Sequence, residues 1–336
     1  MAPPGIRKKS HNWLSEHSAK PPVLIIHDPV EAGALGLMPD NRPLSDLEDI
    51  FLFREKPNIN EYSRQHRVFS ETLRSHAEAV IYLKHLVGDE ASFSQAADNP
   101  NQVFTRDSVI TFPWMPDFYI PARMKKQLRH PEVAAMQSAL EKLGLRKLIE
   151  LPEEIVLEGG DVIPFSAEGE RALLIGYGPR TSIESIRFLA DNLIPEHLDQ
   201  IIGIELAGWR MNLDGGLVPV TEDVVLSDTQ SIASSFILDQ NGRGKLDIFG
   251  LFNDLKITVI EVSREESVYS QACNCVCLGE RKIIYYDLCP RVSSLLREKG
   301  ISVIHVPGSE LVKGRGGPRC MTRPVYAEPS FSQAGE

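Results

Sequence analysis

The sequence predicts an α/β fold, and two observations carry this prediction. Short apolar runs alternate along the chain with segments whose apolar residues recur at helical spacing. Of the 336 residues, 42% are hydrophobic, which is enough apolar material for one large domain or two smaller ones. Because the alternation recurs along the whole chain, we expect helices layered against sheets.

The first helix-to-strand passage lies near the N-terminus. The apolar run VLIIHD (23–28) predicts a buried strand. Residues 60–77 then place Tyr62 and Phe69 on one face of a predicted helix, because they are separated by two helical turns. The run AVIYL (79–83) predicts the strand that follows this helix.

Four more passages repeat this order with uneven spacing. The predicted helices and their following strands are 131–144 with 147–151, 181–193 with 201–206, 244–255 with 257–262, and 290–299 with 302–306. Further strands are predicted at 103–112, 156–164, 171–176, 217–226 and 282–286. This alternation fits an ordinary doubly wound sheet, and it also fits a ring of five pseudo-repeated ββαβ units. The pattern alone leaves both open.

Composition excludes several classes of protein. The net charge is −10 with both signs interspersed, which argues against non-specific nucleic-acid binding. No run of 18 apolar residues is present, so we expect no membrane-spanning helix, and no apolar stretch follows the N-terminal charges as in a secretory signal. Five cysteines favour reduced thiols and a cytoplasmic location. Polar segments 1–20 and 328–336 are expected to be flexible and to flank a single domain at 21–327.

Four polar clusters interrupt predicted strands, where charge is costly unless it is paired or used. They are NQVFTRD (101–107), LEGGDV (157–162), MNLDGG (211–216) and GRGGPRCMTRP (314–324). The last cluster surrounds the thiol of Cys320 with glycines and arginines, and nearby cations lower the pKa of a thiol and make it nucleophilic. Carboxylates hold planar cations by paired hydrogen bonds. Together the clusters indicate a site for a planar cation attacked at carbon, although each acidic residue alone is also a common turn residue.

Taken together and in this order, the clusters resemble those of the arginine deiminase and amidinotransferase family, which modifies guanidino groups. The resemblance runs from about residue 22 to residue 326 and includes VLIIHDPVEAGALGL, SRQHRVFSETL and GYGPRTS. It implies the pentein fold, a five-bladed pseudo-symmetric α/β propeller of ββαβ units with the site along its axis. The domain at 21–327 would then be a single catalytic domain.

The resemblance also implies roles for individual residues. Cys320 is expected to attack the guanidinium carbon and to form a covalent thiouronium intermediate. Asp107 and Asp214 are expected to hold the guanidinium nitrogens, with Glu158 near the catalytic base. The other expected substrate-binding residues are Asn101, Phe104, Asp161, Arg123, Arg180, Gly314 and Arg315. The three arginines among them would hold or order a substrate carboxylate, and the carbonyl of Gly314 would meet the substrate amine.

Asn212 departs from the family pattern, which has histidine in an H-x-D arrangement at this place. That histidine would protonate the leaving amine and then activate water. Asparagine cannot titrate, so Glu158 is the candidate replacement, because a carboxyl buried without an imidazole partner should have a raised pKa. The chain also lacks the large helical insertion that bacterial arginine deiminases carry before FTRD, and so resembles compact members of the family.

The predicted function is cysteine-dependent hydrolysis of the guanidino group of arginine or an arginine-derived compound, with a citrulline-type product and ammonia. Release of ornithine and transfer of the amidino group are alternatives within the same chemistry. A catalytically weak or inactive protein that binds guanidinium ligands is the alternative from another class, because of Asn212. The expected partner is a small guanidino substrate, without nucleic acid or membrane, and a homo-oligomer is compatible with the sequence.

No cofactor and no metal are expected. The stretch CNCVC (273–277) places three thiols on one side of a predicted strand. A zinc site needs a fourth ligand and usually a wider spacing within each pair of cysteines. The thiols therefore fit a half-buried strand better than a metal site.

Overall fold

The structure is a computed structural model that describes residues 15–38, 51–167 and 169–328. Its strands are β1 Val23–Ile26, β2 Ala79–Tyr82, β3 Val109–Phe112, β4 Met115–Pro121, β5 Arg146–Lys147, β6 Val162–Ala167, β7 Glu170–Tyr177, β8 Gln200–Leu206, β9 Leu217–Thr221, β10 Val224–Ser227, β11 Ile232–Asp239, β12 Gly242–Leu246, β13 Thr258–Glu261, β14 Val276–Cys277, β15 Lys282–Tyr286, β16 Ser302–Val306 and β17 Arg323–Val325. Its α-helices are α1 Ile59–His76, α2 Leu83–Val87, α3 Ala91–Ala97, α4 His130–Lys142, α5 Ile183–Leu193, α6 Ile248–Asp254, α7 Arg264–Tyr269 and α8 Pro290–Glu298. Across these ranges, no helix has the length and the apolar character needed to cross a membrane.

Five sheets of the described residues share one strand order. In each sheet a first strand runs antiparallel to a second, and the second runs parallel to a third. The five units are β17-β1-β2, β3-β4-β5, β6-β7-β8, β9-β10-β13 and β14-β15-β16. Between the second and third strands the chain forms α1, α4, α5, α6 and α8, respectively. The α/β fold class is therefore confirmed, and each predicted helix-to-strand passage corresponds to one unit.

Two pairings depart from a simple series of units. The last strand, β17, pairs antiparallel with β1, with Val325 opposite Val23, so the two ends of the described chain share one sheet. The hairpin β11–β12 arises within the fourth unit, but β11 pairs with β8 of the third. This hairpin was not predicted from the sequence, and it extends the third sheet to five strands.

Several predicted boundaries are wrong, and the strand predicted at 103–112 matters most for function. Only Val109–Phe112 is a strand, whereas Pro100–Val103 and Thr105–Ser108 form 3-10 turns. A local side chain stabilises the first turn, since Asn99 Oδ1 accepts from the Asn101 amide at 3.0 Å. Asp107 therefore lies in a turn before the strand rather than within it.

Three other predicted boundaries also differ from the structure. The segment 217–226 is the hairpin of β9 and β10 rather than one strand, and 147–151 contributes only the end of the short strand β5. The segment 244–255 begins as strand β12, because Gly242 adopts a left-handed φ of 105° at the hairpin turn. Helix α6 begins only at Ile248, where the side chain of Asp247 accepts from a helical amide.

One apolar cluster connects the first unit with the segment around Cys320. Helix α1 begins after Asn58, whose side chain accepts from the Glu61 amide at 3.1 Å. Its apolar face buries Phe69 completely, in the same cluster as Phe104 and Met321. Packing against α1 therefore helps to fix the segment that carries the thiol.

Residues 15–20 are packed, although they belong to the segment predicted to be flexible. The backbone amide of Glu16 donates to the carbonyl of Pro164 at 3.0 Å. The amide of Ser166 donates to Ser15 Oγ at 2.7 Å, so the segment is attached to β6. Residues 15–20 therefore differ from the flexibility predicted for them, and residues 1–14 and 329–336 lie outside the described ranges.

Candidate active site

The four polar clusters and Asn274 occupy equivalent places in the five units, just before the first strand of each. Asp107, Asp161, Asp214, Asn274 and Cys320 lie within three residues of the start of β3, β6, β9, β14 and β17, respectively. The carboxylates at the first three places sit in 3-10 turns. Equivalent positions in equivalent units bring these side chains together, although they are far apart in the sequence.

One cavity joins the thiol to two of the carboxylates. It encloses about 670 Å³, counting its open mouth. The predicted residues that line it are Asn101, Phe104, Asp107, Arg180, Asn212, Asp214, Gly314, Arg315 and Cys320. It is also lined by residues that were not predicted, among them Arg54, Arg129, Trp209, Arg210 and Gln271. Glu158 and Asp161 lie behind this wall, in contact with Asn212.

The thiol of Cys320 faces Asp214. Cys320 Sγ lies 3.3 Å from Asp214 Oδ2, and Nδ2 of Asn274 donates to the sulfur at 2.9 Å. Burial, together with the charges of Asp214 and Asp107, raises the pKa of this thiol well above its ordinary value. The predicted effect of a neighbouring cation is present, because the charge of Arg319 lowers the pKa of the thiol, but burial and the carboxylates outweigh it.

Asp107 pairs with Arg129, which was not predicted from the sequence. Arg129 Nη1 donates to Asp107 Oδ2 at 2.8 Å, and its Nε and Nη2 donate to Glu132 at 2.9 and 2.8 Å. Burial and the charges of Glu158 and Asp214 raise the pKa of Asp107 against the opposing charge of Arg129. The sequence signal was an arginine three residues before a glutamate where helix α4 begins. A guanidinium ligand at Asp107 would thus share this carboxylate with Arg129.

Asn101 and Phe104 take up the positions expected for the pocket wall, but the Asn101 amide is already engaged. Its Nδ2 donates to the carbonyl of Phe51 at 2.7 Å and to Asn99 Oδ1 at 2.9 Å. The carbonyl of Asn101 accepts from Arg129 Nη2 at 3.4 Å. Asn101 therefore shapes the cavity by holding its neighbours.

Asn212 lies between two buried carboxylates. Its Nδ2 donates to Glu158 Oε2 at 3.2 Å and to Asp161 Oδ2 at 3.0 Å. These two acceptors fix the orientation of the amide, because exchanging its oxygen and nitrogen would place an oxygen against both carboxylates. Since Asn212 also lines the cavity, its carbonyl oxygen Oδ1 is the atom left to meet a ligand.

The pKa values of the two carboxyls behind Asn212 are shifted in opposite directions. Burial raises the pKa of Glu158, but the charges of Arg180 and Arg129 and the hydrogen bonds from Asn212 and the Lys125 amide outweigh burial and lower it. The prediction that Glu158 has a raised pKa is therefore wrong, because Arg180 Nη1 lies 3.2 Å from Glu158 Oε1. Asp161 behaves in the opposite way, since burial and the charge of Glu158 raise its pKa well above the ordinary value.

The three arginines expected near a substrate carboxylate fall in different places. Arg180 and Arg315 line the cavity. Arg123 does not, because its backbone pairs with Leu157 and its Nε donates to the carbonyl of Glu153 at 2.8 Å. Its side chain faces a separate surface depression. The structure thus contradicts the expectation for Arg123.

Two glycines let the Cys320 segment pack against the cavity wall. A Cβ at Gly316 would lie 2.7 Å from Cδ1 of Phe104 and closer still to Cε1 of that ring. A Cβ at Gly317 would lie 2.7 Å from the Cβ of Asn274. Side chains cannot approach so closely, so glycine is required where the segment crosses both residues.

The CNCVC thiols lie in the apolar core. Cys273 and Cys275 are completely buried, and burial raises the pKa of Cys273 to about 12. Within the described ranges, no group of three or more His, Cys, Asp or Glu side chains could hold a metal ion. These thiols therefore pack as small apolar side chains.

Known proteins match both the chain and its fold. The family model for arginine deiminase matches residues 89–327. The chain belongs to the arginine deiminase family. The resemblance to the arginine deiminase and amidinotransferase superfamily is thereby confirmed.

One similar curated protein is arginine deiminase 1 of Staphylococcus epidermidis. The two are 32% identical over 200 residues, which cover 51% of this chain and 48% of that protein. The arginine deiminase of Staphylococcus haemolyticus is 27% identical over 266 residues, covering 68% of this chain and 62% of that protein. The family member thus spans about half to three-fifths of the length of these curated relatives.

A solved structure shows the same fold over most of the family member. The N-terminal domain of ArgZ, an arginine dihydrolase from the ornithine-ammonia cycle in Cyanobacteria, was solved bound to product. It has a TM-score of 0.67 and 21% identity, covering 90% of this chain and 97% of that chain. This likeness shows that the chain shares the mixed α/β fold of a pentein protein.

Proposed function

We propose that this member of the arginine deiminase family is a cysteine-dependent hydrolase of the guanidino group of arginine or an arginine-derived compound. The observation that carries the proposal is Cys320 Sγ, 3.3 Å from Asp214 Oδ2, in a cavity that Asp107 also lines. Two carboxylates beside one thiol suit a planar cation whose central carbon faces the sulfur. The curated relatives are arginine deiminases, so arginine is the first substrate to test.

The guanidinium group itself would activate the thiol. Without it, burial and the carboxylates raise the pKa of Cys320, so the sulfur stays protonated. A bound guanidinium places a positive charge beside the sulfur and neutralises Asp107 and Asp214, and a neighbouring cation favours the thiolate. The Asn274 amide already donates to the sulfur at 2.9 Å and would support the anion. We therefore expect the thiolate to form mainly when substrate is bound.

The first chemical step would form an S–C bond and break a C–N bond. The thiol proton would pass to Asp214 Oδ2, which the sulfur already faces, and from there to the leaving nitrogen, which departs as ammonia. Water would then attack the amidino carbon of the thiouronium intermediate. The S–C bond breaks, the sulfur takes one proton of the water, the other proton is released to solvent, and a urea group of the citrulline type is formed. The carbonyl of Asn212 would act as a hydrogen-bond acceptor for the guanidinium rather than as an acid.

Asn212 supports a second candidate function, that of a protein that binds guanidinium compounds with little or no catalysis. Its amide is held by Glu158 and Asp161 and cannot titrate. General acid–base help is worth roughly 10²–10⁴-fold in rate, so a protein without the histidine could bind guanidinium compounds with little or no turnover. Ornithine release and amidino transfer are alternatives within the hydrolase chemistry, and they differ from the leading proposal in their products.

Turnover and binding separate these candidates. L-Arginine is incubated with the wild type, with Cys320→Ala and with Cys289→Ala, which removes a buried thiol outside the cavity. Mass spectrometry identifies citrulline, ornithine or a transferred amidine, and ammonia is measured in parallel. We expect citrulline and ammonia from the wild type and from Cys289→Ala, and none from Cys320→Ala. Turnover that survives Cys320→Ala would contradict the proposal, and arginine-induced thermal stabilisation without turnover would support the binding protein.

We further propose that residues 21–327 form one catalytic domain, which also includes the packed residues 15–20, and that its five units close into a propeller. Residues that precede the first strand of each unit contribute to or contact the wall of one cavity, which supports an axis through the site. The pairing of β17 with β1 supports closure, because it joins the two ends of the described chain.

A further inference from the structure

Three buried arginines lie behind the cavity. Arg106, Arg319 and Arg323 are each at least 97% buried, and Arg323 donates to the backbone carbonyl of Arg106. Among the described residues, the carboxylates within ion-pair distance of this cluster are Glu16 and Asp214. Since buried charges must be paired, the negative charges of these two carboxylates must compensate the positive charges of three arginines.

Glu16 comes from the packed segment before the first strand, outside the region that the family model matches. Its Oε1 accepts from Arg106 Nη1 at 2.9 Å and from Arg319 Nε at 3.1 Å, and its Oε2 accepts from Arg319 Nη2 at 3.0 Å. Burial opposes the charge on Glu16, but the arginines outweigh burial and lower its pKa to about 2. The carboxylate is therefore ionised at any pH at which the protein would work.

Arg319 directs its donors at the two carboxylates and at the backbone carbonyl of Val162, which lies 3.4 Å from Nη2. Nε and Nη2 face Glu16, whereas Nη1 donates to Asp214 Oδ2 at 2.8 Å. The same Asp214 oxygen lies 3.3 Å from Cys320 Sγ. A continuous series of contacts thus runs from Glu16 through Arg319 and Asp214 to the thiol.

We propose that Glu16 is a positioning residue of the active site: it holds Arg319 so that this arginine gives Asp214 one hydrogen bond and leaves the carboxylate able to bind a guanidinium. Without Glu16, Arg319 would have two more donors for Asp214 and would form a bidentate pair with it. The excess positive charge behind the site would also repel a cationic ligand. Glu16 would thus favour guanidinium over neutral ligands without touching either. The inference rests on the proposed function, because it assigns the guanidinium to Asp214.

The test compares a cation with its neutral analogue. Binding of L-arginine and of L-citrulline is measured by calorimetry on Cys320→Ala protein, which avoids turnover, with and without Glu16→Gln. The matched control is Asp199→Asn, which removes the carboxylate from Arg171, an ion pair of 3.1 Å away from the cavity. We expect Glu16→Gln to weaken arginine binding by about 10- to 100-fold, as for a lost charge-assisted hydrogen bond, and citrulline binding by much less. Asp199→Asn should leave both affinities unchanged.

The outcomes distinguish this inference from the proposed function. If Cys320→Ala protein does not bind arginine, the proposed function fails and the inference with it. If it binds arginine and folded Glu16→Gln keeps both the affinity and the preference over citrulline, only the inference is overturned. Equal weakening of both ligands would indicate a merely structural role and would also overturn it.

A second variant keeps the test decisive if Glu16→Gln does not fold. Glu16→Gln combined with Arg106→Gln removes one anion and one cation, so the charge of the cluster is unchanged. Arg319 still lacks its carboxylate in this variant, and we expect a selective but smaller loss of arginine binding, because the added repulsion is absent. An unchanged preference for arginine over citrulline in the folded double variant would overturn the inference.

Discussion

Asn274 holds Cys320 with both ends of its side-chain amide. Its Oδ1 accepts from the Cys320 backbone amide at 3.0 Å, and its Nδ2 donates to Sγ at 2.9 Å. The same Nδ2 lies 3.3 Å from the backbone carbonyl of Asp214. One completely buried side chain thus fixes the backbone and the sulfur of the nucleophile. Burial and carboxylates raise the pKa of this thiol, and a donor directed at the sulfur opposes them because it favours the thiolate.

Replacing Asn274 with aspartate should make Cys320 less reactive. Asn274→Asp keeps the acceptor for the Cys320 amide, but it removes the donor to the sulfur and adds a negative charge. We expect alkylation of Cys320 by iodoacetamide to slow about tenfold or more, since one unit of pKa corresponds to tenfold in thiolate. Peptide mass spectrometry over a pH series measures this rate. Asn192→Asp, at an exposed amide that donates to Phe188, is the control, and equal rates in both variants would contradict the prediction.

The order of the site residues could be predicted from the sequence, because polar clusters that interrupt apolar runs are conspicuous. Asp107, Asp214 and Cys320 do line one cavity, as expected. Their partners could not be predicted in the same way. Arg129 pairs with Asp107, and Glu16 pairs with Arg319, which in turn contacts Asp214. Only folding brings such charges together.

For the fold as well, elements defined by local sequence patterns could be predicted, whereas those that depend on distant residues could not. Helical spacing predicted the position of α1, and apolar runs predicted β15 and β16, because these signals are contained within each element. The strand predicted through Asp107 failed because the backbone there forms 3-10 turns. The buried Thr105, Arg106 and Asp107 side chains bond instead to partners elsewhere in the chain. The hairpin β11–β12 was missed because its pairing partner, β8, belongs to the preceding unit.

A methyl group at Gly316 should displace the segment that carries the thiol. The Cβ of Gly316→Ala would overlap the ring of Phe104, and overpacking of this kind costs about 1–3 kcal/mol of unfolding free energy. We expect turnover of arginine to fall by about 100-fold or more, because small misplacements of reacting groups are that costly. Urea unfolding and steady-state kinetics measure the two effects.

Gly208→Ala is the matched control for this substitution. A Cβ at Gly208 would meet no atom within 4 Å, so its effect on unfolding should be within about 0.5 kcal/mol. If Gly316→Ala and Gly208→Ala behave alike, the contact with Phe104 does not constrain the segment. Replacing the Phe104 ring with the smaller side chain of leucine, by Phe104→Leu in the Gly316→Ala protein, should recover part of the lost stability.

Restoring a histidine at position 212 should raise the rate of arginine deimination. In Asn212→His, Glu158 and Asp161 would accept a ring N–H, as they now accept from the Asn212 amide. The titratable ring could protonate the leaving amine, an effect worth roughly 10²–10⁴-fold. Citrulline formation is followed from pH 5 to pH 9, with Asn241→His on the exposed hairpin turn as the control. A lower rate with a changed product would show instead that asparagine serves a distinct chemistry.

Removing Arg180 should reverse the direction of the pKa shift of Glu158, from lowered to raised. The charges of Arg180 and Arg129 lower the pKa of Glu158 below its ordinary value of 4.5 against the effect of burial. In the wild type, ionised Glu158 therefore stabilises the fold above about pH 4.5, and this contribution is lost as the pH falls through the lowered pKa. In Arg180→Met, burial dominates and the pKa rises, so the ionised carboxylate becomes destabilising.

The Arg180→Met protein should accordingly be less stable than the wild type at pH 7, by about 3–5 kcal/mol for an uncompensated buried charge. The deficit should shrink as the pH falls, because protonation removes the unpaired charge of Glu158. Urea unfolding from pH 7 down to pH 4.5 measures this trend. Arg123→Met is the matched control, since Arg123 lies outside the cavity and its Nε contacts only a backbone carbonyl among its described hydrogen bonds. A stability deficit in Arg180→Met that does not change with pH would mean that Arg180 acts through packing and not through the charge of Glu158.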